Sequence, residues 1–375
     1  CISFYNDLSN LSLIIKNRKD GEGRNPLSYN RKLQKIGESF FVSLPKSWIE
    51  RNNLSRGDTV TLVENQDGTI SLYGESRSRE LKEIIITVEK NESIGSLRRK
   101  LTGAYVDGFD LIQLKTETEF SDEQQDAIRE ITEGLFGLEI VELSSKQIII
   151  QCLLTKTLPI EKMINGIHNT IKSMFNETVS ALEEKRTMTV QSVIRRTRYV
   201  KRLSLMVHRL LRSLIAFPDE RVEKIRPIDC VDFLRVIERI TEISGAIRRI
   251  AESVLMWQNR GEDFLQEKLS SLCSRVLRLY DESIQALMHK DIRLANHVID
   301  ERMEREFSNV WNYLIKAEQE PLISASAFPF LHRIIDNLER ISIYTVEIAE
   351  IAIDHAEEAS QKNDYKKIKG NYWHS

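Results

Sequence analysis

The chain has 375 residues, room for two or three domains, with 41% hydrophobic and 29% charged residues and a formal net charge of −2. That balance fits a soluble, helix-rich globular protein. It excludes attraction to nucleic acid through the whole-protein field, so any such attraction must come from local patches. No apolar run approaches the roughly 20 residues of a membrane span, so the chain is expected not to be membrane-spanning. Cys1, Cys152, Cys230 and Cys273 are dispersed without a C-x-x-C pair, the pattern of reduced thiols in a cytoplasmic protein.

Residues 1–27 carry Leu11-Ser-Leu-Ile-Ile15 but no signal-peptide arrangement, and are expected to form a disordered tail. Residues 28–75 read as a small β-rich unit. Lys32–Ile36 and Ser39–Ser43 are strand-like around Gly37, and Pro45 opens a short helix over 46–51. Strands over 59–64 and 69–73 meet at Asp67-Gly68, a hairpin turn signal. About 50 residues bury too little to stand alone, so a strand-swapped or dimeric unit is expected.

Arg31-Lys-Leu-Gln-Lys-Ile-Gly, Val42-Ser-Leu-Pro-Lys-Ser-Trp, Arg56-Gly-Asp and Asp67-Gly68 together resemble the AbrB/SpoVT swapped-hairpin domain. The resemblance implies a homodimer that in many members binds DNA. Arg31, Lys32, Lys35 and Lys46 are the candidate phosphate contacts, and a purely dimerising role is the alternative.

Residues 80–155 alternate strand and helix signals. A strand over 83–88 and a helix over 93–107 come first. A strand over 110–115 and a helix from 122, capped by Ser121, follow. Strands over 138–143 and 147–153 close a small α/β spacer with no recognisable chemistry.

Residues 159–360 are helical and repeat themselves. Phe175-Asn-Glu-Thr-Val-Ser-Ala-Leu182 aligns without a gap on Tyr280-Asp-Glu-Ser-Ile-Gln-Ala-Leu287, and Ile237-Glu-Arg-Ile240 returns as Leu338-Glu-Arg-Ile341. Apolar residues at alternating spacings of three and four give six helices near 160–183, 188–216, 228–256, 263–289, 291–317 and 331–358. The predicted fold is thus multidomain α+β. A swapped-hairpin β domain and an α/β spacer precede a duplicated three-helix-bundle all-α domain, with copies over 159–258 and 262–358.

Leu279-Tyr-Asp-Glu-Ser-Ile-Gln-Ala-Leu287, Val298-Ile-Asp-Glu301 and Leu338-Glu-Arg-Ile341 look like the PhoU family. That resemblance implies tandem three-helix bundles that restrain phosphate uptake through a transporter and its sensor machinery. An AbrB-like head on a PhoU-like body resembles the archaeal type of phosphate uptake regulator, with control of phosphate homeostasis by negative regulation. An AbrB-type DNA-binding transcription regulator, using the bundle as a dimerisation or metal-sensing scaffold, is the alternative.

The same family carries acidic E/D-x-x-x-D motifs that hold metal, since carboxylates at i and i+4 share a helix face. In the second copy Asp300 and Glu304 keep that spacing, with Glu339 and Glu347 facing them from the next long helix and His297 one turn before. Either these hold a divalent or ferric ion, or they form a solvated, salt-bridged face. In the first copy Glu238 and Glu242 persist, but Arg195 and Tyr199 stand where the other copy has acids.

From Lys185 to Pro218 there are nine Lys/Arg residues and no acid. Arg195, Arg196, Arg198, Arg202 and Arg209 are therefore candidates for docking an acidic partner, against the alternative of a solvated face paired with acids nearby. Arg202 is expected level with Glu242. No Gly-rich phosphate loop, nucleophile elbow or acid–base pair points to an enzyme.

Overall fold

The computed structural model describes residues 29–64, 69–74, 81–154, 159–184, 190–216, 225–257, 263–319 and 324–371. The chain divides into two compact units between Glu80 and Leu81. The N-terminal tail, the Asp67-Gly68 turn, Lys185, Arg186, Pro218 and Pro321 lie outside the described residues.

In the first unit β1 (Gln34–Ile36) and β2 (Ser39–Phe41) pair antiparallel with Lys35 opposite Phe40. Gly37 turns between them at φ +64, a backbone region that side chains disfavour. Helix α1 (Lys46–Arg51) follows Pro45, and β3 (Val60–Glu64) pairs with β4 (Ile70–Gly74) as a second, separate hairpin. Among the described residues of this unit none is buried. Leu33, Ile36, Phe40, Phe41, Val42, Leu62 and Ile70 are all exposed. Two isolated hairpins with bare apolar faces are not independently stable.

The second unit opens with a four-stranded sheet. Its elements are β5 (Glu83–Thr87), α2 (Ile94–Val106), β6 (Leu111–Lys115), α3 (Asp122–Glu133), β7 (Leu138–Leu143) and β8 (Gln147–Cys152). The strand order is β5-β6-β8-β7, with β5 and β6 parallel and the other pairs antiparallel. Ser93 caps α2, and Ser121 with Gln124 forms a full capping box on α3. Leu97, Leu101, Tyr105, Ile112, Leu114, Ile128, Ile148 and Ile150 build its core.

The bundle follows: α4 (Ile160–Glu184), α5 (Val190–Ala216), α6 (Pro227–Trp257), α7 (Asp263–His289), α8 (Ile292–Asp300), α9 (Glu304–Gln319) and α10 (Phe328–Asn371). The repeat seen in the sequence is a repeat in packing. Phe175 and Tyr280 are both fully buried, as are Thr178 and Ser283 one turn later. Both copies contribute to one continuous apolar core, so neither bundle closes on itself. α10 continues past the expected end near 358, to Asn371.

One predicted element is wrong. The helix expected over 291–317 stops at Asp300 and restarts at Glu304. Arg275 reaches across the interruption, donating to Glu301 at 2.8 Å and Glu306 at 2.6 Å. In an unbroken helix residues five apart point well away from each other, since only i+3 and i+4 share a face. Met303, between the two pieces, is buried in the core.

A polar tie joins the first helices of the two copies. His168 Nε2 lies 2.9 Å from Asp281 Oδ1, and Lys172 Nζ lies 2.8 Å from Oδ2. Burial pushes the His168 imidazole below its ordinary value, against the pull of Asp281. Burial raises Asp281, but hydrogen bonds and charge from Lys172 and His168 outweigh it and the net shift is downward.

Two outcomes are expected. A fragment spanning the first unit should sediment as a dimer at micromolar concentration, and a stably folded monomer would contradict a shared apolar face. Acid should weaken the whole chain in two steps. Unfolded His168 takes up a proton below about pH 6.5 while the folded imidazole resists it, so stability falls as pH drops through that value. Asp281, lowered in the fold, adds a further loss only at more acidic pH. Thermal melts of His168→Gln should therefore show a flatter decline between about pH 7 and pH 5 than the wild type.

Candidate functional site

The basic helix α5 sorts its charges by face. Arg209 is buried, at 5% exposure. It donates to the Tyr105 and Phe109 carbonyls at 2.7 and 2.9 Å and to Asp110 Oδ1 at 3.0 Å. Arg212 pairs with Asp107 at 2.6 Å. Both cations therefore sit at the C-terminus of α2, where free carbonyls and the helix dipole favour positive charge. One turn or two earlier, the Arg202 guanidinium lies 4.3 Å from the centre of the Phe136 ring, and Tyr199 meets the same ring edge-on at 6.0 Å. Arg196 is taken by Glu177 and Ser173 of α4.

The expected docking set is corrected accordingly. Arg209 is closed to any external partner because the α/β domain already occupies it. Arg202 faces Phe136 and not Glu242. What remains is a stripe of Arg195, Arg198 and Lys201, exposed and without a partner among the described residues. They stand three apart, on one side of the helix.

Lys201 also borders a cleft of about 290 Å³ between α5 and α6, lined by Ser204, Leu205, His208, Glu238, Arg239, Thr241 and Glu242. A Thr241–Ser204 hydrogen bond of 2.8 Å sets the register of the two helices. Burial pushes His208 below its ordinary value, although Glu238 pulls it up. The cleft thus sets Lys201 of one helix beside the two acids of the next.

The second copy has a corresponding cleft of about 360 Å³ bordered by Arg302, Glu304, Glu339, Glu347 and Glu350, with Met303, Phe307 and Ile343. Glu304 and Glu339 do line one space. Asp300 does not border it, because the helix ends there and the i, i+4 relation with Glu304 is lost. Glu304 pairs with Arg302 at 3.4 Å, Glu339 accepts from Trp311 Nε1 at 3.0 Å, and Glu347 is bridged by Arg239. His297 lies 3.9 Å from Glu282, on another side. The expected metal set of Asp300, Glu304 and Glu339 does not converge. Among the described residues the group that does is Asp229, Asp232 and His355. Sequence spacing could not have found it, since His355 comes from a helix more than a hundred positions away.

In the head, Arg31, Lys32, Lys35 and Lys46 are all exposed. Arg31 lies over the Tyr29 ring at 5.7 Å, and Lys46 makes a solvent-exposed i, i+4 contact of 3.6 Å with Glu50. No helix among the described residues is long and apolar enough to cross a membrane.

Replacing Arg209 by Met keeps bulk but removes the fork from Asp110 and from the end of α2. It should cost about 3–5 kcal/mol, read as a lower unfolding midpoint, with faster amide exchange at residues 105–110. Arg212→Ala, at a solvent-exposed pair, should cost no more than about 1 kcal/mol. Equal effects from the two would refute the distinction between them.

Comparison with known proteins adds the following. Residues 33–79 match the family model described as antidote-toxin recognition MazE, bacterial antitoxin. Residues 164–254 and 269–352 match the PhoU domain. Among solved structures the chain is similar to the crystal structure of PhoU from Pseudomonas aeruginosa. The two share 15% identity at a TM-score of 0.45, over 53% of this chain and 96% of that one. No curated protein matches. The chain joins a MazE/AbrB-type head to a body carrying two PhoU-domain segments.

Proposed function

We propose that this chain is a regulator of phosphate uptake and phosphate homeostasis, acting by restraint of a phosphate transporter or its sensor machinery. The observation that carries the proposal is the pair of PhoU-domain matches, one on each copy of the helical repeat. The stripe of Arg195, Arg198 and Lys201 is the surface that meets an acidic partner, and its exposed cations, without a partner among the described residues, support that role. Glu238 and Glu242 beside Lys201 limit how deeply an anion can enter the cleft, so the contact is with an acidic protein face. The head works as the homodimerising end, and its exposed Arg31, Lys32, Lys35 and Lys46 supply phosphate contacts to DNA. A second reading, a DNA-binding transcription regulator with the bundle as scaffold, is supported by the head's match over residues 33–79 and by those four residues.

One experiment addresses both. The chromosomal copy is replaced by Arg195→Glu/Arg198→Glu/Lys201→Glu or by Lys35→Ala/Lys46→Ala, and phosphate uptake is measured in phosphate-replete cells. The triple reversal should fold normally, because none of the three residues has a partner among the described residues, and should release uptake from restraint. Normal uptake in that variant, with loss of control only in the head variant, would select the second reading.

A further inference from the structure

Three buried side chains of metal-ligand type converge where the third helices of the two copies meet. Asp229 and Asp232 stand on the first two turns of α6, and His355 comes from α10. All three are buried, and one ligand atom from each lies within 4.8 Å of the others. His355 Nδ1 is 3.3 Å from Asp229 Oδ1 and 3.4 Å from Asp232 Oδ2. It is shut off from solvent and makes no hydrogen bond.

Those distances suit a shared cation better than a direct hydrogen bond. A charge-assisted N–H···O contact in a buried site closes to about 2.7–2.9 Å, and one Nδ1 proton could serve only one of the two carboxylates. Donors around a tetrahedral cation, with metal–ligand lengths of about 2.0–2.2 Å, stand about 3.3–3.5 Å from one another. Both nitrogen–oxygen spacings fall in the second range.

The surroundings hold the donors in place. Asp229 Oδ2 accepts from the Arg226 backbone N–H at 3.0 Å and from its Nε at 2.8 Å, and the Arg226 guanidinium also reaches Oδ1. Ligating carboxylates are commonly anchored this way by outer neighbours. Phe233 stacks at a tilt against the His355 ring at 5.3 Å, fixing its plane. Two carboxylates and one imidazole thus face one another in a site shut off from solvent.

We infer that Asp229, Asp232 and His355 form a binding site for one borderline divalent cation of the zinc class, clamping the first bundle to the second. One imidazole and two carboxylates suit such an ion, with water in the fourth position. Among the described residues the site occurs once. By the register of the repeated Glu-Arg-Ile motif, the positions matching the three ligands in the other copy are Phe330, Arg333 and Val254, which cannot bind a metal.

The test uses the full chain, stripped with a chelator and dialysed, then titrated with Zn²⁺ alone and with Co²⁺ alone. The wild type should take up one equivalent of zinc and gain in melting temperature, and cobalt should give the intense visible bands of tetrahedral coordination. His355→Gln and Asp232→Asn should each abolish uptake and the melting gain. Glu304→Gln/Glu339→Gln should keep both, which separates this site from the acidic cleft. Should His355→Gln fail to fold, Asp232→Asn and the cobalt spectrum of the wild type still decide. Absence of uptake by the wild type, or undiminished uptake in a folded ligand variant, overturns the proposal.

Discussion

A guanidinium removed from water must be given back its hydrogen bonds and a counter-charge, and Arg209 receives both from a different domain. Transferring the ion costs several kcal/mol, and the geometry at its destination decides whether that is recovered. Here the destination is the C-terminal end of α2, where two carbonyls and Asp110 converge on the fork. Asp110 is itself anchored by the Lys82 backbone N–H at 3.1 Å. The α/β domain is therefore no passive spacer. Its position on α5 is specified by direction-dependent bonds, with Arg202 over Phe136 and Arg212 on Asp107 extending the contact.

The two copies of the bundle are bound to each other by a different logic. Their apolar residues form one core, which supplies most of the attraction but little register. Register comes from the polar seam between α6 and α10. Along it Arg235 meets Asp354, Arg239 meets Glu347, Arg249 donates to buried Asn337 at 2.6 Å, and Arg333 meets Glu252. Positions rise along one helix as they fall along the other, which is the signature of an antiparallel pair. Sliding by one turn would strip every one of these pairs at once.

Much of this was legible in the sequence, and what was not has physical reasons. Periodicity located the helical stretches of the bundle, because helix faces buried in a core must repeat every three or four residues, but it ran 292–300 and 304–319 together. The capping box at Ser121 and the turn at Gly37 were equally local and equally readable. The interruption at 301–303 was not, because no proline or glycine marks it. It depends on Arg275, a distant residue whose fork bridges the two ends. That single event dissolves the pairing of Asp300 with Glu304. Arg209 was misjudged for a related reason. A run of positive charge without acids shows that partners lie elsewhere, but whether elsewhere is another molecule or another domain is a matter of topology.

The duplication also shows how two equivalent places diverge once each is free to change. Both copies keep the Glu-Arg motif on their third helix, at Glu238 and at Glu339. In the first copy the facing helix brings Lys201 and His208 to that motif, and in the second it brings Arg302 and Glu304. The first cleft thus sets Lys201 and Arg239 beside two carboxylates, while the second gathers four carboxylates around its one arginine. The two clefts therefore present unlike potentials, and a partner or ion drawn to one is not drawn to the other. The unbroken α5 makes the first arrangement possible, since only a continuous helix can carry Arg195, Arg198 and Lys201 outward while pointing Arg209 and Arg212 into the neighbouring domain. The broken second helix has no such span to offer, which confines domain docking to one copy and leaves the other copy's cleft exposed.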